Sequence, residues 1–401
     1  WLRAYESVLI KNADQISSIE STLQSLTFVL PGASMHVRAD PGRFKETELT
    51  TEALYSVLHI LGIYHDSIIA RAVERKDPTA RPSAHTRYTR FWARTSKTYS
   101  AASTALTVLR YTEILCEMVA RRRDRSAGVR SAGASARWRL VLLLELVKAS
   151  LRLTLLRTTG YRMLLHSPLA QRDVDPAALE AESAKAPAWR MPRTGRALPQ
   201  IDSETFRTSE AYLLSRTLVP DDASPADRLV RPLSVAGVTY EVAYILRPLV
   251  YAVLMFARAS VRPTSAMTAA EVARLGVVQR ALRHPTVLNW LPWAAGLAIE
   301  TVANRGLARS LAPGARFPLQ GLTAVERAEL GDRAADVRWW ALRGPFYDAI
   351  TKYVASGRAD RRPVLDRIVA ATETVPLVSL ASSIVADYEY LLEHYHFACT
   401  S

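Results

Sequence analysis

Side chains that could do chemistry are few in this sequence, and none stands in the spacing of a known catalytic motif. His394 and His396 could form a metal pair, but no third ligand lies nearby, so we expect a solvated tail. His59 and His65 are six residues apart, which on a helix puts them on different faces, so packing or capping roles are expected. Glycine-rich phosphate loops, G-x-S-x-G, H-E-x-x-H and paired C-x-x-C motifs are absent from the sequence. The sequence therefore predicts no cofactor, no metal site and no enzyme activity.

A cluster of acidic and basic residues with helical spacing lies at 326–333. Glu326, Glu329 and Asp332 alternate there with Arg327 and Arg333. Charges three or four residues apart on a helix pair with one another. This pattern favours surface ion pairs over acid–base catalysis.

The bulk composition indicates a basic chain with enough apolar residues for a large core. It has 401 residues, 49% of them hydrophobic, a net charge of +14 and a pI of about 9.9. Such a positive field favours anionic lipid or nucleic acid as a partner. Cys116 and Cys399 have no motif spacing, so neither a disulfide framework nor a zinc site is predicted.

The stretch Arg137–Arg157 organises the chain, because it holds the densest run of leucine and valine. Glu145, Lys148 and Arg152 fall on one narrow stripe of this predicted helix, and nearly every other side chain is apolar. The leucines and valines contribute roughly −3 to −7 kcal/mol to bilayer insertion, whereas three charges cost roughly 8–10 kcal/mol. We therefore expect the helix to lie along the membrane interface, or to pack its charged stripe against partner helices. A buried core helix beside an arginine-rich loop would have a similar sequence.

Two sets of residues carry the membrane hypothesis. The predicted membrane-associating side chains are apolar and lie on the central helix: Trp138, Leu140, Leu144, Val147, Leu151 and Leu155. The second set consists of arginines that could attract anionic lipid, and we call it the basic collar: Arg121, Arg122, Arg123, Arg125, Arg130, Arg137 and Arg139. No uncharged run in the sequence reaches 18 residues, so the strict criterion of about 18 predicts no membrane-spanning helix.

Apolar residues recur at intervals of three and four along most of the chain, which predicts an all-α, multi-helix bundle. We expect an N-terminal helical half at 1–166, a flexible linker rich in Pro, Ala and charged residues at 167–237, and a C-terminal helical half at 238–401. The two halves are expected to pack as one domain. Pro248 should kink the helix predicted at 238–258, and Thr323 with Glu326 predicts a capping box.

Several short motifs, in order, resemble the peroxin-sixteen family in its filamentous-fungal form. The C-terminal half contains Tyr244-Ile-Leu-Arg-Pro-Leu-Val-Tyr251, Glu326-Arg-Ala-Glu-Leu-x-x-Arg333 and Gly344-Pro-Phe-Tyr-Asp348. The N-terminal half contains Tyr5-Glu6, a predicted loop with Gly42-Arg43-Phe44 and Glu46, and Tyr64-His65-Asp66. The candidate family-motif or partner-binding residues are Gly42, Arg43, Phe44, Tyr244, Arg247, Pro248, Glu326, Glu329, Arg333, Pro345, Phe346, Tyr347 and Asp348.

This resemblance implies a peroxisomal membrane protein that acts early in peroxisome biogenesis, without enzyme activity. It implies a docking factor for peroxin three, peroxin nineteen and cargo membrane proteins at the peroxisomal or endoplasmic-reticulum membrane. Animal members resemble integral proteins with two membrane helices, which would correspond here to Arg137–Leu156 and Val238–Phe256. Some yeast members resemble peripheral proteins instead.

Two other functions fit parts of the sequence. A helical lipid-binding or lipid-transfer protein would need an apolar cavity between the two long helices. An arginine-rich nucleic-acid binder would need aromatic side chains on which bases stack. The only such cluster is Tyr88, Phe91 and Trp92 beside arginines, and its helical spacing is typical of a core, so no nucleic-acid partner is predicted.

Overall fold

The computed structural model describes residues 2–34, 41–76, 82–128, 135–170, 193, 224–261, 267–268, 276, 279, 283–314, 321–342, 344–346 and 395–397. Within these residues the fold is all-α, as predicted, and the only extended pairing is an isolated bridge between Arg162 and Pro232. The helices of this part are α1 Leu2–Lys11, α2 Ala13–Ser34, α3 Pro41–Lys76, α4 Ala84–Thr95, α5 Lys97–Ser126, α6 Ala136–Thr158, α7 Val235–Ser260, α8 Pro285–Leu311 and α9 Ala324–Leu342.

Helices α5 to α9 form an up-and-down array in which each helix runs antiparallel to the next. The pairing of α5 with α6 is fixed by Lys148 on Glu113, 2.7 Å, near the middle of both helices. Helix α7 lies on α6 with Trp138 against Phe256, their ring centroids 6.3 Å apart. Gly306 of α8 lies under the Tyr240 ring, where an added Cβ would come within 2.5 Å, so α7 and α8 need glycine for their close approach.

The N-terminal helices form a smaller cluster of their own. Leu9, Ala13, Ile68 and Ile69 are buried together where α1 and the start of α2 lie against α3. The Tyr5 hydroxyl and the Nε2 atom of His65 in α3 form a hydrogen bond of 2.6 Å. The other ring nitrogen of His65 contacts Glu20. Its role is therefore packing, in agreement with the expectation from its spacing.

Serine N-caps begin four of the helices. Ser83, Ser96, Ser135 and Ser234 accept the backbone N–H three residues later in α4, α5, α6 and α7, at 3.2 to 3.4 Å. Such caps satisfy amides that have no partner inside the helix. The Thr323–Glu326 capping box is also present at the start of α9, with both of its hydrogen bonds at 3.2 Å.

Several predicted boundaries differ from the structure. Gly42, Arg43 and Phe44 are not in a loop but in the first turn of α3, because Pro41 presets a helix start at which Gly42 is tolerated. The apolar spacing predicts a helix at 86–120 that ends before the arginine tract, but α5 continues through this tract to Ser126. Of the predicted linker, residues 171–192 and 194–223 lie outside the described part. Within residues 224–237, Leu229 and Val230 are fully buried in the core.

Candidate membrane face and interior charge network

The central helix α6 has one narrow exposed stripe. Its exposed residues follow helical spacing: Arg139, Leu143, Leu146, Ser150 and Arg157. Leu143 and Leu146 are more than half exposed, at 59% and 55%. The two arginines are 18 positions apart, roughly 27 Å at about 1.5 Å per residue. An apolar centre with a cation at each end is typical of a helix that contacts a lipid surface.

A shallow groove continues this stripe onto α5. The groove has a volume of about 850 Å³ and is lined mainly by small and apolar side chains, among them Ala101, Thr104, Ala105, Val108, Val147 and Leu151. Together with Leu143 and Leu146 it forms what we call the α5–α6 face. Two of the predicted membrane-associating residues, Val147 and Leu151, line this groove.

The other predicted membrane-associating residues mainly contact protein. Trp138 and Leu144 pack against the cluster of Val141, Ala252 and Phe397. Leu155 is 2% exposed and belongs to the core with Tyr99, and Leu140 is half-buried. The most exposed leucines of α6, Leu143 and Leu146, were not in the predicted set, because composition alone does not show which side of an apolar helix meets its neighbours.

The charged stripe of α6 faces the protein interior. Lys148 donates to Glu113 of α5 at 2.7 Å and lies 2.9 Å from Glu145, and all three side chains are buried. Burial raises the pKa of Glu113, and the charge of Lys148 opposes that rise. The sequence left open whether the charged stripe lies at the membrane interface or packs against a partner helix. In the structure it packs against a partner helix, α5.

The arginines of the basic collar differ in their exposure and surroundings. Arg122, Arg123 and Arg125 of α5 are exposed, as is Arg139, whereas Arg130 lies outside the described residues. Arg121 stacks over the Tyr395 ring at 5.0 Å, and Arg137 forms an ion pair with buried Glu117 at 2.8 Å.

Asp124, the acid within the collar, holds the start of α6. It accepts hydrogen bonds from the Ser135 hydroxyl at 2.5 Å and from the amides of Ala136 and Arg137 at 2.8 and 3.0 Å. Partial burial alone would raise the pKa of Asp124, but these hydrogen bonds outweigh it and lower that pKa.

The motif residues of α9 connect the two halves of the chain. Glu326 accepts the amide and guanidinium of Arg231, with the shortest contact at 2.7 Å. Glu329 accepts the His166 amide at 2.7 Å, and Arg333 donates to it at 2.8 Å. Glu326, Glu329 and Arg333 are buried, so the surface ion pairs expected here are in fact interior ones.

Arg333 is the centre of this network. Its guanidinium donates to both carboxylate oxygens of Glu241 at 2.8 Å and to the Leu164 carbonyl at 2.7 Å. The Tyr244 ring lies 4.0 Å from the guanidinium carbon. These contacts join α9, α7 and the segment that follows α6.

The Arg247-Pro248 pair lies in the middle of α7. Arg247 donates to buried Glu300 of α8 at 2.8 Å and stacks over the Trp340 ring at 5.0 Å. Pro248 is buried inside the helix, which continues to Ser260. The sequence motif thus marks a contact between α7, α8 and α9.

The last motif is only partly described. Gly344 has a φ of +66°, in the left-handed region, and Pro345 begins a short helical turn in which Phe346 is 37% exposed. Tyr347 and Asp348 lie outside the described residues. The side chains of Arg43 and Phe44 are not among those described either.

We expected His396 to lie in a solvated C-terminal tail, and this expectation is wrong, because its side chain is 5% exposed. Glu117 accepts the amides of His396 and Phe397 at 2.9 and 3.1 Å, and Phe397 is fully buried. Burial, with the nearby charges of Lys148 and Arg137, lowers the pKa of His396 to about 3, so the ring stays neutral. The apolar neighbours Tyr395 and Phe397 could have indicated this burial from the sequence.

Two helices are long and apolar enough to cross a membrane when only length and composition are judged, Leu49–Ala72 and Val235–Ser260. The second contains the Val238–Phe256 segment, whereas Arg137–Leu156 does not meet the criterion because of its charges. Among the described residues, no group of three or more His, Cys, Asp and Glu side chains could hold a metal ion.

Comparison with known proteins identifies the family. The model of the family described as "Peroxisomal membrane protein (Pex16)" matches residues 3–394. The peroxisomal membrane protein PEX16 of Schizosaccharomyces pombe is 21% identical over 362 residues, covering 88% of both chains. Peroxisome biogenesis protein 16 of Arabidopsis thaliana is 22% identical over 427 residues, covering 97% of this chain and 99% of the relative. No solved structure matches.

The chain belongs to the Pex16 family. It is a peroxisomal membrane protein of peroxisome biogenesis, and the family consists of biogenesis factors. The resemblance drawn from the sequence motifs is therefore confirmed.

Proposed function

We propose that this protein is a non-enzymatic docking factor that binds the peroxisomal membrane through the α5–α6 face and does not cross it with α6. The observation that carries the proposal is the exposed stripe of α6, with Leu143 and Leu146 between Arg139 and Arg157. The exposed arginines of the collar lie at the same end of the bundle as Arg139, because α5 and α6 are antiparallel. Anionic lipid would be attracted there by about 1 kcal/mol per arginine.

The docked partners are proposed from the family resemblance. They are peroxin three, peroxin nineteen and cargo membrane proteins, with entry through the endoplasmic reticulum as an alternative route. The half-exposed Phe346 is a candidate contact for such a partner, since Gly344 and Pro345 fix its backbone. A nucleic-acid function has less support, because Tyr88 is 2% exposed within the core and cannot stack on a base.

The test is liposome flotation of the full chain with two sets of variants. Leu143→Gln with Leu146→Gln should weaken binding to all liposomes, because apolar area is lost without loss of packing. The second variant changes Arg122, Arg123 and Arg125 to Gln and should weaken binding to anionic liposomes only. Arg121 is left unchanged, because its contact with Tyr395 would confuse folding with binding.

The matched control is Val302→Gln on α8, since Val302 is 61% exposed but lies on another helix. Unchanged flotation of the Leu143/Leu146 variant, with an unchanged melting temperature, would contradict the proposed face. Equal loss of flotation in the control would also contradict it.

A further inference from the structure

An interior cavity of about 400 Å³ lies between α5, α6, α7 and α9 and has no role in the membrane contact proposed above. Arg110 and Trp339 line it and are exposed, so they mark its mouth. Arg152 and Arg247 line its wall. The volume lies in the range of small-molecule sites, about 300–1,000 Å³.

The wall carries arginine donors that have no acceptor. Arg152 makes no hydrogen bond and no ion pair with any described residue, although carboxylates surround it. The Nε of Arg247 is buried without an acceptor, while its Nη1 is engaged by Glu300 at 2.8 Å. Buried guanidinium donors without acceptors are costly, which points to a bound acceptor.

Among the side chains that line the cavity directly, cations outnumber acids. The wall carries five cations and three acids: Arg110, Lys148, Arg152, Arg247 and Arg333, with Glu113, Glu329 and Asp336. Glu113 and Glu329 are already in ion pairs with Lys148 and Arg333. Behind the wall, Glu145 and Glu241 lie beside the same two cations, and Glu300 pairs with Arg247. Arg110 and Arg152 are thus the lining cations without an ion pair among the described residues, although Glu113 and Glu145 also act on Arg152 at longer range.

The two interior arginines repel each other. Burial lowers the pKa of the Arg152 guanidinium, and the charge of Arg247 lowers it further, against the opposing influence of Tyr244, Glu145 and Glu113. His166 on the same wall has its pKa lowered by burial and by Arg110, so it stays neutral and can donate a hydrogen bond. An anion between these groups would relieve the repulsion.

We propose that this cavity binds the phosphate group of an anionic ligand, with Arg152 as the main contact and Arg247, His166 and Arg110 as supporting donors. Phosphate oxygens match the planar fork of arginine and accept several hydrogen bonds at once. The phosphate can belong to a free phosphate compound or to a phospholipid head group, since the mouth is open to both.

The experiment measures binding and melting temperature of the full chain with inorganic phosphate, with dioctanoyl phosphatidic acid and with chloride at equal ionic strength. Phosphate or phosphatidic acid should raise the melting temperature of the wild type. Arg152→Gln should abolish that shift and weaken binding about tenfold or more, as expected for a charge-assisted hydrogen bond. Asp336→Asn should strengthen binding, because it removes the one unpaired acid on the wall.

Arg338→Gln on α9 is the matched control, an equal loss of charge at an exposed position that lines neither the cavity nor the α5–α6 face. Binding of both probes identifies phosphate itself as the ligand group, and binding of phosphatidic acid alone identifies the lipid head group. The proposal is overturned if neither probe binds, or if Arg152→Gln binds as tightly as the wild type. It is also overturned if Arg152→Gln melts lower without any ligand, because Arg152 would then be a structural residue.

Discussion

At the residue scale, the most distinctive feature of the interior is a set of buried glutamates that are paired with cations. Glu113, Glu145, Glu241 and Glu300 are each 1% exposed or less, and each lies beside a lysine or an arginine. Removing both members of such a pair can be neutral, whereas removing one leaves an uncompensated charge in the interior. The pairs therefore specify which helices are neighbours more than they add stability.

Replacing Lys148 with Met should destabilise the fold strongly. The variant leaves Glu113 and Glu145 side by side without a cation, and the expected loss is about 3–5 kcal/mol in the free energy of unfolding. Chemical denaturation of the purified chain measures it. Lys97→Met is the control, because Lys97 is exposed on α5 and should change stability by less than about 0.5 kcal/mol. A Lys148 variant as stable as the control would show that this pair does not hold α5 to α6.

Sequence alone could give only half of this arrangement. Glu145 and Lys148 are three residues apart, so their contact follows from helical geometry. Glu113 is 35 positions before Lys148, and only the tertiary fold brings it there. A single acid in an apolar helix, such as Glu241 or Glu300, is the one sequence signal that could have indicated interior pairing.

At the element scale, α6 was predicted within one residue at each end, whereas the first turn of α3 was interpreted as a loop. The ends of α6 have strong local signals, because Ser135 is an N-cap and no Gly or Pro interrupts the helix. Glycine at position 42 was interpreted as a loop residue, although Pro41 is a good helix start. Local patterns therefore predicted element types well and their packing faces poorly.

Asp124→Ala should weaken the start of α6 by about 1 kcal/mol, the usual value of a helix N-cap. The pKa of Asp124 is lowered in the folded protein, so its contribution is present above its ordinary pKa of 3.8 and is lost as the pH falls through the folded value. Melting temperatures of both proteins, measured across pH, should differ near neutrality and converge in acid. A difference that grows in acid would contradict this assignment.

At the scale of the whole molecule, the charged interior argues against immersion in a bilayer. Helix α7 is apolar enough to span, but its Glu241 is held by Arg333 of α9. Helix α9 exposes Arg327, Asp332 and Arg338, and each would cost about 2.5–3.5 kcal/mol in the hydrocarbon core. A bilayer around α7 would have to accommodate these charges or break the ion pairs. The bundle is therefore expected to rest on the membrane.

Alkaline carbonate extraction of isolated peroxisomes tests this claim most directly. The treatment releases proteins held at the membrane surface and leaves proteins with spanning helices in the pellet. Our account predicts that the native protein is recovered in the supernatant, with a known integral peroxisomal membrane protein retained as the control. Recovery of the native protein in the pellet with that control would contradict the account and show that a helix such as α7 crosses the bilayer.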